Sequence, residues 1–202
     1  SLENYEKARA IRMKTLGREH EDVITVYGQI GNVYCSIGKY TKAHEIFRYV
    51  LKMRHEKFGI NNEHTLNSMM NQAFVLYKMG HFDLALSLYE EVLESVKYDG
   101  DWEYQAAVYH SMGNVYAKRH DYVNGEKFYI EALELKRKAF KNESKTVSRT
   151  LHNLGLVYSK MKKYDEAEIS MEEAMFINMK VLKSLHPDIG KLMIDLGKVH
   201  QK

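Results

Sequence analysis

Cysteine appears once in the chain, at Cys35. A lone thiol excludes an internal disulfide framework and fits a reducing compartment, so a cytoplasmic location is expected. Proline also appears once, at Pro187, and a chain rich in Leu, Met, Lys and Glu with a single helix breaker favours long helices. No apolar run approaches the roughly 18–20 residues of a membrane span, so no membrane partner is expected. An excess of one charge is missing too: 30 Lys and Arg face 27 Asp and Glu, a net +3. That field is too weak for indiscriminate nucleic-acid binding, and no nucleic-acid partner is expected.

Motifs that carry chemistry are equally scarce. None of the ten histidines falls in an HExxH frame or beside a second cysteine. Gly28-Gln29-Ile30-Gly31 lacks a third glycine, and Gly38-Lys39 has neither Walker spacing nor a following Ser or Thr. Cys35 has no base nearby in sequence, and Glu90-Glu91 and Glu172-Glu173 read as solvated helix faces. Asn142-Glu143-Ser144 is read as a chance glycosylation triplet. No catalytic constellation, metal site or cofactor is expected.

What the chain does have is a repeat. Gly31-Asn32-Val33-Tyr34 aligns with Ala73-Phe74-Val75-Leu76, Gly113-Asn114-Val115-Tyr116 and Gly155-Leu156-Val157-Tyr158, at intervals of 42, 40 and 42, and Gly197 follows after another 42. Seven residues past each start stands Gly38, Gly80, His120 or Lys162, and two further on Tyr40, Phe82, Tyr122 or Tyr164. Three beyond that comes a small residue, Ala43, Ala85, Gly125 or Ala167. A period of this length means stacked supersecondary units, none of which buries its apolar face alone.

One unit reads as two helices. Val23, Val26, Tyr27, Ile30, Val33 and Tyr34 recur at helical spacing, and Gly31 sits among them. A mid-helix glycine costs about 1 kcal/mol against alanine, so close approach of a second helix is expected there, with Ala43 facing the glycine. Gly38 ends the first helix through its freedom at positive φ, and a three-residue turn leads into an antiparallel partner carrying Tyr40, Ala43, Phe47 and Val50. The chain is thus expected to be one array over residues 1–202. Residues 2–16 form a leftover second helix, 20–58, 62–98, 101–140 and 143–183 form four repeats, and 187–202 the first helix of a fifth. The 40-residue interval implies a two-residue deletion in the link around Lys97–Trp102. The last helix shows Leu192, Met193, Leu196 and Val199 as an apolar face with no following partner, so capping or self-association is expected at that end.

The large residue at Tyr27, Met69, Tyr109 or Leu151, the small residue four later and the aromatic–alanine pairs of the second helix resemble the tetratricopeptide repeat, TPR, over nearly the whole chain. The resemblance implies an all-α, right-handed α-solenoid of antiparallel helix pairs whose first helices line a concave groove. It also implies a non-catalytic protein-binding scaffold. The longer period, and the links Leu16-Gly17-Arg18-Glu19-His20-Glu21-Asp22 and Leu185-His186-Pro187-Asp188, are similar to those of kinesin light chains and nephrocystin-type proteins.

Helical geometry points a defined set of first-helix positions into that groove. They are Thr25, Gln29, Asn32 and Ser36; Asn67, Met70, Asn71, Phe74 and Lys78; His110, Ser111, Asn114 and Lys118; Arg149, His152, Asn153, Leu156 and Lys160; then Lys191, Asp195 and Lys198. Cations dominate, with Asp195 the single acid. His110 and His152 share a slot and are expected to be solvated and side by side. Asn71, Ser111 and Asn153 form a ladder able to hydrogen-bond the backbone of an extended peptide, while the lysines favour an acidic one. The kinesin-light-chain resemblance implies cargo peptides with a tryptophan among acidic residues, held by Asn71, Asn114, Asn153 and Lys118 near Phe74 and Leu156. The expected function is an adaptor for an acidic, extended partner segment. The alternative is a self-assembly or regulatory module of a larger signalling or motor-adaptor protein.

Overall fold

A computed structural model describes residues 2–96, 102–139, 144–182 and 186–201. All ordered elements among them are helical: α1 Leu2–Leu16, α2 Glu21–Ser36, α3 Tyr40–Phe58, α4 Glu63–Met79, α5 Phe82–Val96, α6 Trp102–Lys118, α7 Tyr122–Ala139, α8 Lys145–Lys160, α9 Tyr164–Val181 and α10 Pro187–Val199. No helix among them is long and apolar enough to cross a membrane. The chain divides into two compact units, residues 1–98 and 99–202. The deletion expected in the link lies in 97–101, outside the described residues.

In the first unit each helix packs on the next, from α1 to α5. Phe47 and Ala43 of α3 meet Val75 of α4, with Tyr34, Cys35, Tyr40 and Met79 half-buried around them. Arg54 of α3 ties three helices together. Its guanidinium donates to Glu21 Oε1 at 2.7 Å and Thr25 Oγ1 at 3.2 Å on α2, and to Ser68 Oγ at 3.1 Å on α4.

The second unit follows the same order from α6 to α10, and α8 also touches both α6 and α10. On α8, Val147, Leu151, Leu154 and Val157 recur at helical spacing and are all buried. They join Tyr129, Ala167, Met171, Ala174 and Ile177 in one core. Leu192 and Val199 of α10 belong to that core, and Leu196 packs against it. The expected open face of the last helix is therefore largely closed by α8 and α9, and of its four residues only Met193 is exposed.

Close approach at the repeated small slot is real, and its physical reason is an aromatic ring more than an alanine. A Cβ built on Gly31 would lie 2.7 Å from the Phe47 ring, and on Gly113 2.7 Å from the Tyr129 ring. At Gly155 it would meet Met171 Cγ at 2.7 Å, with the Ala167 carbonyl oxygen at 3.1 Å. Ala43 thus yields to Phe47, four residues later, as the group that faces Gly31. Helix starts are capped by different residues to one end: His20 and His186 accept the Asp22 and Asp188 amides through Nδ1, Asn62 accepts from His64 N, and Ser144 from Val147 N. The links before α4 and α8, which lack the His-Pro-Asp pattern, therefore still cap their helices.

Candidate functional site

The first-helix positions divide between the two units. In the first, Asn67, Asn71, Phe74 and Lys78 fall at i, i+4, i+7 and i+11 on α4, one stripe of a helix. Asn67 and Lys78 are exposed, Asn71 is half-buried, and Phe74 is 43% exposed. Asn32 on α2 is exposed. The Phe74 ring lies 6.3 Å from the Tyr77 ring, and Lys78 Nζ sits 5.3 Å and 5.5 Å from the two centroids. An exposed aromatic beside an ammonium can grip an apolar anchor and a carboxylate together. Cys35 is half-buried nearby; burial pushes its thiol pKa up against a smaller pull from Lys78, so it is no activated nucleophile.

In the second unit α6, α7 and α8 converge on one amide. Asn114 Oδ1 accepts from Tyr129 Oη at 2.7 Å and from Asn153 Nδ2 at 3.0 Å. Asn114 and Asn153 thus form a rung between adjacent first helices, leaving the Asn114 NH₂ and the Asn153 carbonyl outside that bond. Arg149, Asn153, Leu156 and Lys160 run along one stripe of α8, as Asn114 and Lys118 do on α6. Lys118, Arg149 and Lys160 are exposed and make no ion pair among the described residues.

The acid of this face is already engaged. Asp195 Oδ2 accepts from His152 Nε2 at 3.0 Å, and Oδ1 accepts from Lys198 Nζ at 2.9 Å. Burial raises the Asp195 pKa, but the hydrogen bonds from Lys198 and His152 bring it below the usual carboxylate value. Burial lowers the His152 pKa and Asp195 opposes this only in part, so a neutral imidazole links α8 to α10. With Asp195 consumed, the face keeps its cations.

His110 does not face solvent. It is 7% exposed, its ring lies 5.5 Å from that of Tyr129, and Nδ1 is 3.1 Å from Thr150 Oγ1. The expectation that it lines a groove beside His152 is corrected: its side chain turns between α6 and α8, where desolvation, then Lys136 and Arg149, hold its pKa well below the usual histidine value. Thr150 is the hub. Its hydroxyl donates to the Thr146 carbonyl at 3.0 Å, so its oxygen can accept both the His110 Nδ1–H and Lys136 Nζ, the latter at 2.7 Å. Lys136 is 4% exposed; desolvation and then Arg149 lower its pKa to about 7. Sequence reasoning missed this lysine, although a signal existed: Arg54 occupies the same slot two repeats earlier. Both donate to a hydroxyl fourteen residues on, Ser68 or Thr150.

Comparison with known proteins agrees with the geometry. A family profile described as "Tetratricopeptide repeat" matches residues 1–56 and 104–178, and a second of the same description matches 65–97. Over 76 residues the chain is 32% identical to a kinesin light chain-related protein 2 of Arabidopsis thaliana, covering 38% of the chain and 12% of that relative's length. Among solved structures it resembles BtubC (BKLC) from P. vanneervenii, with TM-score 0.79 and 21% identity over 98% of this chain and 79% of that one. A putative kinesin light chain from Podosopora anserina with nearly identical TPR-like repeats gives 0.74 and 18%, over 90% and 87% of the two chains. The apo form of RapI, a protein outside that naming, gives 0.76 and 20%, over 89% and 65%. The matching profiles cover most of the chain, and the helix pairs, the small slot and the aromatic that fills it all follow one plan. The chain belongs to the tetratricopeptide repeat family, in the long-repeat class that resembles kinesin light chains.

Proposed function

We propose that this chain is a non-catalytic cytoplasmic adaptor that binds an extended, acidic segment of a partner protein along its first-helix faces. The observation that carries the reading is the Asn114–Asn153 rung set among Lys118, Arg149 and Lys160, cations without an internal partner among the described residues. Amide side chains offer a donor and an acceptor to peptide backbone, and the cations favour carboxylates while speeding encounter. The Phe74, Tyr77 and Lys78 cluster of the first unit supplies an aromatic anchor point of its own. The TPR fold is a scaffold for protein partners, which fits this assignment.

The test uses fluorescein-labelled acidic peptides with one tryptophan, titrated with the full chain. Asn153→Ala combined with Lys118→Glu is expected to weaken binding by at least about tenfold, with a smaller loss for Phe74→Ala. Equal affinity for wild type and the double variant ends the proposal. A second reading, self-association, is favoured by Met193 and Ile194, which stay exposed on α10. Light scattering over a concentration series separates the two; a monomer at every concentration removes the second.

A further inference from the structure

The repeat register singles out one outer helix face. Ile169, Phe176 and Met179 lie at i, i+7 and i+10 on α9, hence on one side of that helix, and are 66%, 56% and 66% exposed. The same three slots hold Lys127, Glu134 and Arg137 on α7, and Glu45, Lys52 and His55 on α3. On α5 the first two hold Ser87 and Glu94. Scattered exposed apolar residues are ordinary, whereas three on one side of a helix, at slots polar elsewhere, mark a contact surface.

Neither neighbouring helix covers the stripe. On one flank Glu168 pairs with His200, just beyond α10, at 2.9 Å; on the other Glu173 pairs with Arg137 of α7 at 2.7 Å. Between those bridges lie Asp165 and Glu172, exposed and without an ion pair among the described residues. Lys180 closes the far end, 4.3 Å from the Phe176 centroid. The three apolar side chains span about 15 Å, three turns of a facing helix.

We propose that this outer face of α9 docks a basic amphipathic helix of a partner protein, one with apolar residues at i, i+3 or i+4, and i+7 flanked by Lys or Arg. The apolar anchors fit Ile169, Phe176 and Met179, and Asp165 and Glu172, which interleave with them on the same side of α9, meet the partner's cations. A second copy docking through the same stripe is disfavoured, because two-fold pairing sets acidic faces against each other. The site lies on a second helix and selects charge opposite to the first-helix faces, so it is independent of the acidic-peptide reading.

The test is fluorescence anisotropy of a labelled helical peptide of roughly fourteen leucines and lysines at that spacing, added to the full chain. The wild type is expected to bind it and to ignore a scrambled sequence of the same composition. Phe176→Asp is expected to weaken binding by at least about tenfold. Glu172→Lys is expected to cost about threefold or more and to flatten the salt dependence. Phe74→Ala is expected to leave this affinity unchanged, and Ile169→Lys provides a second exposed variant whose helical circular dichroism should match the wild type. Equal binding of the scrambled peptide, equal binding by Phe176→Asp, or no binding at low salt overturns the proposal. A dimer abolished by Phe176→Asp also overturns it, assigning the face to a second copy.

Discussion

Lys136→Met removes a buried amine without emptying the space it fills. In the unfolded chain this lysine holds its proton to about pH 10.5, whereas in the folded chain burial brings its pKa to about 7. Between those values the unfolded state binds the additional proton, so raising the pH favours folding; below both, the full cost of burying the ammonium is present. From pH 7 to pH 9 the folded amine passes from half to almost fully neutral while the unfolded one stays charged, a gain of about 2 kcal/mol in stability. His110 and His152 already hold lowered pKa values, and an unfolded histidine titrates near 6.5, so together they add only a few tenths of a kcal/mol in this window. Raised tyrosine pKa values act near pH 10 and above, beyond the window. The assay is urea unfolding followed on Trp102, the single tryptophan, which sits in the same unit as Lys136. With a urea slope of about 2 kcal/mol per molar, the wild-type midpoint should rise by about 1 M from pH 7 to pH 9. Lys136→Met should be more stable than wild type at pH 7 by about 1–4 kcal/mol and should lose most of the pH slope. Thr150 keeps its bonds to Thr146 and His110 in that variant, so no acceptor is stranded. A wild-type midpoint that stays flat or falls with pH, or an unchanged slope in the methionine variant, refutes the reasoning.

Two further substitutions probe the helix pairs. Gly113→Ala gains about 1 kcal/mol of helix propensity but drives a Cβ to 2.7 Å from the Tyr129 ring, itself fixed by Asn114. Overpacking of about 1–3 kcal/mol should win, lowering the melting temperature and loosening the Asn114–Asn153 rung; a melting temperature at or above wild type counts against the close approach. Lys162 sits at φ +62 where Gly38 and Gly80 stand in other repeats. Lys162→Gly should therefore stabilise by about 0.5–1 kcal/mol in thermal melts, relief of left-handed strain outweighing the added chain entropy.

Fold and site were legible to different depths, for a physical reason. Helix pairs follow from periodicity because every repeat must bury the same face, and Gly31, Gly113 and Gly155 announce a ring or thioether arriving in the same place. His110 misled because slot position fixes a direction only to within the swing of a side chain. It shares a slot with His152, but Thr150 and Tyr129 give it a buried partner set, whereas His152 finds Asp195. Lys136 was invisible to a search for groove residues, since it stands on a second helix, where a lysine ordinarily reads as solvated surface. The last helix misled in the opposite sense: Leu192 and Val199 read as part of an apolar face with no following partner, whereas the preceding helices α8 and α9 already bury them.

Departures from the repeat carry more information than its matches. A slot filled by a large, buried side chain in every repeat reports first on stacking, as Phe47, Tyr89, Tyr129 and Met171 do. A slot whose chemistry changes between repeats is released from that duty. Inside the core the slot of Arg54, Val96, Lys136 and Asn178 varies in this way: Arg54 answers Glu21 directly, whereas the Lys136 amine sends its hydrogen bonds to Thr150 and Thr146. The stripe on α9 departs on the surface, where apolar groups replace charge and gain nothing from folding. The first kind of departure tunes the stability of a unit with pH, and the second leaves apolar side chains exposed on the folded unit, the exposure that the docking proposal accounts for. That distinction, burial kept or exposure kept, separates a stability effect from a binding effect at each slot, and melting and binding assays on the same variant can tell them apart.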